Sequence, residues 1–92
     1  MVNFESDPGK ARQNRRKHRL SFPEAATVFG DPLAVTYCDP EHSTSEQRFI
    51  TVGMSGAGRV LIVADVDRNE NVRIISAPKT MQRERKDYEE KN

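Results

Sequence analysis

The sequence predicts a single α+β domain in which helices cover one face of an antiparallel sheet. Helix-start signals occur twice in the first 24 residues, whereas residues 33–77 hold short runs of strand-forming residues separated by polar or glycine-rich turns. Strands joined by short turns form an antiparallel meander, on which helices can pack. A chain of 92 residues fits one domain, so we expect residues 1–92 to fold as a unit.

The N-terminal segment predicts a short strand followed by a surface helix. Residues 1–6 are compatible with the strand, and Asp7-Pro8 marks the helix start. Asp caps the first turn, and Pro fits the first helical position because its missing N–H had no partner there. The helix should extend to His18. It has almost no apolar face beyond Ala11, so we expect it to lie on the surface with its polar side outward.

The second helix carries the strongest helical signal in the chain. Ser21 and Glu24 have the spacing of a capping box, in which each side chain satisfies a free backbone N–H of the first turn. One apolar stripe at helical spacing follows, formed by Phe22, Ala25, Ala26 and Phe29. Gly30 and the following Asp31-Pro32 should end the helix, because Gly accepts a left-handed conformation and Pro cannot continue.

The second half of the chain predicts a meander of three to four strands. The candidate segments are residues 33–38, 48–52, 60–66 and 72–77. They are separated by a polar loop at 39–46, a glycine-rich turn at 54–58 and a polar turn at 67–71. Pro78 should close the last strand. A C-terminal helix should begin near Thr80, with Met81 and Tyr88 as its only apolar stripe, so we expect a partner to order it.

Composition excludes several classes of protein. Hydrophobic residues make up 35% of the chain and charged residues 32%, and no stretch approaches the length of a membrane span. No signal peptide is recognisable, and the single Cys38 cannot form an internal disulfide. We therefore expect a cytoplasmic protein without contact to membranes. The chain is too short to wrap a dinucleotide easily, so we expect side chains to carry any chemistry, without a cofactor.

The positive charge is concentrated near the N-terminus. The formal net charge is only +1, but six of the ten residues 10–19 are Lys or Arg, and residues 1–20 carry a net +4 against −3 in the remainder. Such a block raises the local positive potential whatever the total charge. Two interpretations remain open here: a solvated helix face and a phosphate-binding surface.

Other candidate sites are weaker. Residues 53–58 contain three glycines but precede a strand, which favours a hairpin turn over a phosphate-binding loop. Cys38 has no activating neighbour and is expected to be a small packed residue. A loop of acidic residues and one histidine could chelate a metal, although such loops are usually solvated; its members are Asp39, Glu41, His42 and Glu46. We expect no metal site.

The remaining cations, one histidine and one late tyrosine suit RNA cleavage without a metal. RNA carries its own nucleophile, the 2′-hydroxyl. The enzyme must align this hydroxyl with the adjacent phosphate and accept its proton. It must also stabilise the negative charge that builds up on the phosphate. His18 could transfer protons, and Arg59 and Arg73 could hold the phosphate if the fold brings them together. Plain structural roles compete: His18 could interact with the helix dipole, and Arg73 could lie on a solvent face of the sheet.

A series of short motifs then points to a known family. It begins with Phe4-Glu5-x-Asp7-Pro8-x-Lys10-Ala11, Asn14-x-x-Lys17-His18 and Ser21-Phe22-x-Glu24-Ala25. It continues with Val28-Phe29-x-Asp31-Pro32, Asp39-x-x-His42-Ser43, Glu46-x-Arg48, Gly53, Gly58-Arg59 and Arg73-Ile74-Ile75-Ser76-Ala77, and ends with Glu84 and Tyr88. In order and spacing, over essentially the whole chain, this series resembles the BrnT-type toxins.

The resemblance implies a type II toxin with a RelE-like fold and ribonuclease activity that inhibits translation and growth. It further implies neutralisation by a BrnA-type antitoxin, in a heterotetramer that is a dimer of heterodimers and contacts promoter DNA only through the antitoxin. Carried over to this sequence, the catalytic positions are His18, Arg59, Arg73, Glu84 and Tyr88. The RNA-binding positions are Lys17, Lys79, Arg15 and Arg16.

Three departures from the family pattern bear on activity. Arg19 stands where Gly is usual, Ser6 where Trp is common, and Pro78 where an Arg is usual. Lys79 could substitute for that Arg, although a lysine offers one point charge rather than a fork of donors. The alternative hypothesis is therefore a non-catalytic family member that binds an antitoxin or nucleic acid. A third hypothesis is a structural domain of a larger complex, suggested by the sparse apolar face of the last helix.

Overall fold

The computed structural model describes residues 3–39, 46–68, 71–78, 86 and 88–90. Its first elements are strand β1 (Asn3–Ser6), helix α1 (Pro8–His18), helix α2 (Phe22–Thr27) and a 3₁₀ helix (Val28–Gly30). Four strands follow, namely β2 (Val35–Asp39), β3 (Arg48–Met54), β4 (Val60–Arg68) and β5 (Asn71–Ser76). The α+β class is confirmed. Of the predicted C-terminal helix, residues 86 and 88–90 are helical, and its predicted start near Thr80 lies outside the described residues.

The five strands form one mixed sheet in the order β1-β5-β4-β3-β2. The predicted antiparallel meander is confirmed for β2 to β5, which pair in sequence order. The N-terminal strand makes the sheet mixed instead of antiparallel. It pairs parallel to β5, with Phe4 opposite Val72 and Ser6 opposite Ile74. The chain crosses from β1 through both helices and the meander before β5 returns beside it. A wholly antiparallel sheet was therefore an incomplete prediction.

The helix starts follow the predicted capping residues. The Asp7 carboxylate accepts a hydrogen bond from the Gly9 N–H at 3.1 Å, and the Ser21 hydroxyl accepts one from the Glu24 N–H at 3.2 Å. The second half of the capping box is not what we predicted, because the Glu24 carboxylate binds Ser55 and Arg59 instead of the backbone at Ser21. The predicted second helix also tightens into the 3₁₀ turn at its end.

Apolar residues pack on both faces of the sheet. On the helix face, residues of α2 and the adjoining segments pack against alternate residues of β4 and β5; the buried members are Leu20, Phe22, Ala25, Val28, Leu61, Val63, Ile74 and Ala77. On the opposite face Tyr88 packs against Val52, Val60 and Ile62. The prediction that all helices cover one face is therefore wrong for the helical residues at the C-terminus. Tyr88 is the apolar side chain that anchors them.

Gly53 allows the 3₁₀ helix to approach the sheet closely. A Cβ atom at this position would lie 2.9 Å from both the Ala34 Cβ and the Val28 Cγ1. These distances are shorter than real carbon contacts, so only glycine fits. The resulting contact brings Asp31, at the end of the 3₁₀ helix, against the Met54 end of β3.

Two further sequence expectations can be compared with the structure. Cys38 is exposed and accepts a hydrogen bond from the Gln47 side chain at 3.2 Å, so the prediction of a packed cysteine is wrong. Cys38 lies on β2, which is an edge strand of the sheet and pairs with only one neighbour, β3. Among the described residues, no helix is long and apolar enough to cross a membrane.

Candidate nucleic-acid interface

Helix α1 presents a run of unpaired basic side chains. Within the described part of the chain, none of its lysines or arginines makes an ion pair, and the helix contains no acidic residue. The basic members are Lys10, Arg12, Arg15, Arg16 and Lys17, all exposed, followed by the half-buried His18. Without acidic partners these charges keep their full positive potential toward solvent. The basic side chains of α1 are therefore accessible to a negatively charged ligand.

Asn14 fixes the C-terminal half of α1 against the end of β5. Its side chain is 6% exposed, and its amide nitrogen donates to the carbonyl oxygens of Leu20 and Ala77, both at 3.0 Å. Its amide oxygen accepts from the Ala77 N–H at 3.0 Å. One side chain therefore satisfies three buried backbone groups. Sequence analysis missed this role. The available signal was that Asn14 follows Ala11 by three residues and therefore lies on the same face of α1 as the helix's apolar residue.

The attachment at Asn14 creates a groove of about 290 Å³ between α1 and β5. Helix α1 lines it with Lys10, Gln13, Asn14, Lys17 and His18. Strand β5 lines it with Ile75 and Ser76, which lie beyond the last residue paired with β1. Two predicted site residues, Lys17 and His18, thus share one concave surface. The arrangement combines an imidazole with lysine ammonium groups that can stabilise negative charge beside it.

Arg59 lies at another place in the fold, just before β4. Its guanidinium forms a two-point ion pair with the Glu24 carboxylate, with Nε 3.0 Å from Oε2 and a second contact between Nη2 and Oε1. The Ser55 hydroxyl donates to the same carboxylate at 2.8 Å. The hydrogen bond from Arg59 lowers the pKa of Glu24, with a further contribution from Ser55. In this arrangement Arg59 ties the β3–β4 hairpin to α2.

Tyr88 belongs to the same hairpin network. Its hydroxyl donates to the Asp31 Oδ2 at 2.5 Å, and the same oxygen accepts from the Met54 N–H at 2.8 Å. The bonds from Met54, Tyr88 and Leu33 lower the pKa of Asp31, and the bond to Asp31 raises the pKa of Tyr88. Thr27 completes the attachment by accepting from the Gly56 N–H at 2.7 Å. The turn is thus held by side chains from one side of α2 and the 3₁₀ helix.

Arg73 occupies a third position, on the face of the sheet opposite α1 and α2. It pairs in register with Val66 and Glu5, and its Nη1 lies 3.8 Å from the Glu5 Oε1. Val66 is six residues along β4 from Val60, so Arg73 and Arg59 lie roughly 20 Å apart along that strand. The structure therefore does not bring Arg59 and Arg73 together, and neither of them lines the groove that holds His18. Alternation along β5 turns Arg73 away from the helix face that bears α1.

Four candidate positions lie outside the described residues, namely Lys79, Glu84, Glu41 and His42. Within the described part, no group of histidine, cysteine and acidic side chains has the arrangement of a metal site. Asp39 and Glu46 are the described members of the candidate metal loop.

Comparison with known proteins decides the family. Residues 7–84 match the sequence profile of the ribonuclease toxin BrnT of type II toxin–antitoxin systems. The chain belongs to the BrnT family. No curated protein matches it significantly. BrnT proteins are the ribonuclease toxins of toxin–antitoxin pairs. The family therefore implies RNA as the substrate class of this chain and an antitoxin as its partner class.

The structure gives physical roles to many of the positions on which the resemblance to BrnT was based. Asp7 caps α1, Asn14 joins α1 to β5, and Gly53 permits close packing of the 3₁₀ helix. Glu24, Asp31, Arg59 and Tyr88 secure the hairpin. The motif positions that remain without such a structural role include Lys10, Lys17 and His18, which are the residues that share the groove.

Proposed function

We propose that this protein is an endoribonuclease toxin in which the scissile phosphate of RNA sits in the groove between α1 and β5. The observation that carries the proposal is the groove itself, which places His18 beside Lys17 and Lys10. None of these lysines is neutralised by an ion pair within the described residues. A polyanion would therefore meet positive charge and a proton-transfer group at one place.

In the proposed reaction the 2′-hydroxyl oxygen of RNA attacks the adjacent phosphorus, and the bond from phosphorus to the 5′-oxygen breaks. The 2′-hydroxyl loses its proton and the departing 5′-oxygen gains one, so the products are a 2′,3′-cyclic phosphate and a 5′-hydroxyl. His18 serves one of these two transfers, and Lys17 and Lys10 stabilise the charge that accumulates on the phosphate oxygens. No metal is needed in these steps because the lysines supply the positive charge.

The other residues take outlying roles in the proposal. Arg15 and Arg16 bind the RNA backbone on the exposed side of α1, and Arg73 and Arg59 contact phosphates only outside the groove. Tyr88 would act only after its hydroxyl leaves Asp31. Glu84 and Lys79 are retained from the family resemblance for the second proton transfer and for phosphate binding, respectively. A BrnA-type antitoxin would neutralise the toxin in the cytoplasm, within a dimer of heterodimers that contacts promoter DNA through the antitoxin.

The activity is tested with purified protein and single-stranded RNA in a buffer containing EDTA. We expect cleavage that continues without divalent metal and leaves 2′,3′-cyclic phosphate ends. His18→Ala should lower the cleavage rate by about 100-fold or more, which is the usual contribution of a general acid or base. In cells, induction of the chain should arrest growth, and co-expression of the antitoxin should restore it.

Lys86→Gln is the matched control for loss of positive charge. Lys86 is exposed and pairs with Glu90 four residues later, away from α1, so this variant should cleave at the parental rate. Cleavage by His18→Ala at the parental rate would refute the assignment of the groove. Steeply salt-dependent RNA binding without any cleavage by the parent would instead support the non-catalytic alternative, which the pairing of Arg59 with Glu24 and the presence of Pro78 favour.

A further inference from the structure

Arg19 adopts a backbone conformation that disfavours side chains. Among the described residues it is the one non-glycine residue with positive φ, at φ 57° and ψ 31°. This left-handed conformation closes α1, because the Arg19 N–H donates to the Arg15 carbonyl at 2.9 Å. Glycine is the usual residue at such a helix end, since a Cβ atom there crowds the backbone. The arginine side chain therefore costs stability at this position.

The charge of Arg19 is available to a ligand. Every residue from 15 to 19 is basic, namely Arg15, Arg16, Lys17, His18 and Arg19. Arg19 is exposed, and it forms no ion pair within the described residues. Its guanidinium therefore adds to the positive potential at the end of α1.

The position of Arg19 suggests what offsets the cost of its backbone conformation. The residue before it, His18, lines the groove, and the residue after it, Leu20, is buried and bonded to Asn14. The backbone of Arg19 is therefore fixed beside the groove while its side chain faces solvent. A polynucleotide that places one phosphate in the groove carries the next phosphate close by, where an exposed guanidinium can bind it.

We propose that Arg19 binds an RNA phosphate next to the one held at His18. This inference rests on the proposed function, and it gives a specific role to one member of the basic block at 10–19 that the family resemblance had not assigned to RNA binding. The left-handed conformation directs the side chain from a fixed point at the end of α1, and the unpaired guanidinium can grip a phosphate with two donors. The Arg19 side chain thus lowers the stability of the fold and raises the affinity for RNA.

The test separates backbone strain from charge with three variants. Arg19→Gly relieves both, Arg19→Asn removes the charge and tolerates the left-handed conformation, and Arg19→Lys keeps the charge and the strain. The probe is a single-stranded oligonucleotide with 2′-O-methyl groups throughout, which binds but cannot be cleaved. Dissociation constants are measured over a range of salt concentrations, and thermal unfolding is recorded for each variant.

We expect Arg19→Gly to bind the probe about 3- to 10-fold more weakly, with the salt slope reduced by about one ion. Its melting temperature should rise by about 2 to 6 °C. Arg19→Asn should lose affinity similarly, whereas Arg19→Lys should keep the parental salt slope without gaining thermal stability. A variant that is more stable yet binds more weakly is the signature of strain retained for binding.

Four outcomes would contradict the proposal in distinguishable ways. Undiminished RNA binding by Arg19→Gly, with weaker binding by Arg16→Gln, would overturn the role of Arg19 alone. An unchanged melting temperature in Arg19→Gly would remove the argument from strain. Loss of antitoxin affinity without loss of RNA affinity would identify an acidic protein segment as the ligand instead. If the parent itself failed to bind the probe, the proposed function would fail first.

Discussion

At the scale of single residues, Asn14 shows how one buried amide can hold together the elements that line a groove. It joins the middle of α1, the turn after α1 and the end of β5 through three hydrogen bonds. No other side chain type of similar size offers both the two donors and the acceptor that these backbone groups require. The location of His18 relative to Ser76 therefore depends on a residue one turn earlier in the helix.

Replacing Asn14 by Ala should be strongly destabilising. Two buried carbonyl oxygens and one N–H would lose their partner, and each unsatisfied group costs about 1 to 3 kcal/mol. We expect the free energy of unfolding, measured by urea denaturation, to fall by about 3 kcal/mol or more. Gln13→Ala, on the exposed neighbouring residue, should change it by less than about 0.5 kcal/mol. A cost below about 1 kcal/mol for Asn14→Ala would contradict this role.

Arg59 illustrates the limit of sequence reasoning at this scale. Its place after Gly58 and its charge suggested phosphate binding, but a local pattern does not reveal a carboxylate 35 positions away. Glu24 was in turn assigned to a capping box because Ser21 stands at the correct spacing. The long-range pair prevails because it joins two full charges through parallel hydrogen bonds, whereas the local alternative would bind a neutral N–H.

At the scale of elements, the local signals were sufficient for the helices and the order of the strands. Caps, proline and glycine positions located α1 and α2, and turn residues separated the four strands of the meander. The parallel pairing of β1 with β5 was not predictable in this way. It depends on the pairing of residues 3–6 with residues 71–74. The Phe4 ring also packs on Phe29, with 5.3 Å between the ring centres.

A series of side-chain hydrogen bonds runs across three strands of the sheet, β2, β3 and β4. The Thr36 and Thr51 hydroxyl oxygens are 2.9 Å apart, and the Thr51 hydroxyl donates to the Asp65 carboxylate at 3.2 Å. Asp65 is only 2% exposed. Burial raises its pKa to about 6, against the opposing effect of the Thr51 hydrogen bond and with a small contribution from Asp67. Below about pH 6 the Asp65 carboxyl is therefore mostly neutral in the folded protein.

This raised pKa predicts a pH-dependent stability. Since the folded-state pKa of about 6 exceeds the ordinary value of 3.8, the native state binds a proton that the unfolded chain releases earlier. The contribution of Asp65 to the free energy of unfolding should be greatest below pH 4 and should fall by about 2 to 3 kcal/mol as the pH rises from about 4 to about 6. Asp65→Asn should remove this decline.

The comparison is made by denaturant unfolding of the parent and the variant at several pH values. Glu24 and Asp31 have lowered pKa values, so they favour folding as the pH rises through the acid range. Both residues are present in the parent and in the variant, so the difference between the two curves reports Asp65 alone. Asp67→Asn is the matched control, since Asp67 is exposed and this variant should retain most of the decline. Parallel curves for the parent and Asp65→Asn would show that the carboxyl ionises freely in the fold.

At the scale of the whole molecule, the hairpin network and the groove of the proposed function lie at different places in the fold. Hydrogen bonds and ion pairs lock the β3–β4 hairpin to α2 and the 3₁₀ helix. The α1–β5 groove instead presents basic groups that have no acidic partners within the described residues. A surface that leaves its charges unpaired is suited to bind a charged ligand, whereas a network of paired charges is suited to hold a fold.

The family was predictable from the sequence, whereas the places of the candidate site residues in the fold were only partly so. The ordered motifs over the whole chain identified BrnT, and residues 7–84 confirm it. Lys17 and His18 share a groove as their adjacency suggested, because they lie within one turn of α1. Arg73 could not be placed beforehand, because its distance from Arg59 depends on the register between β4 and β5.

The most direct test of the central claim is a residue-resolved map of RNA binding. The isotope-labelled parent protein would be titrated with the 2′-O-methyl oligonucleotide, and backbone amide shifts would be followed by NMR. The groove predicts the largest changes at residues 10–19 and 75–78, with small changes in the hairpin at 54–59. Largest changes in that hairpin and at Glu24, with α1 unaffected, would contradict the account and move the RNA to the Arg59 end of the molecule.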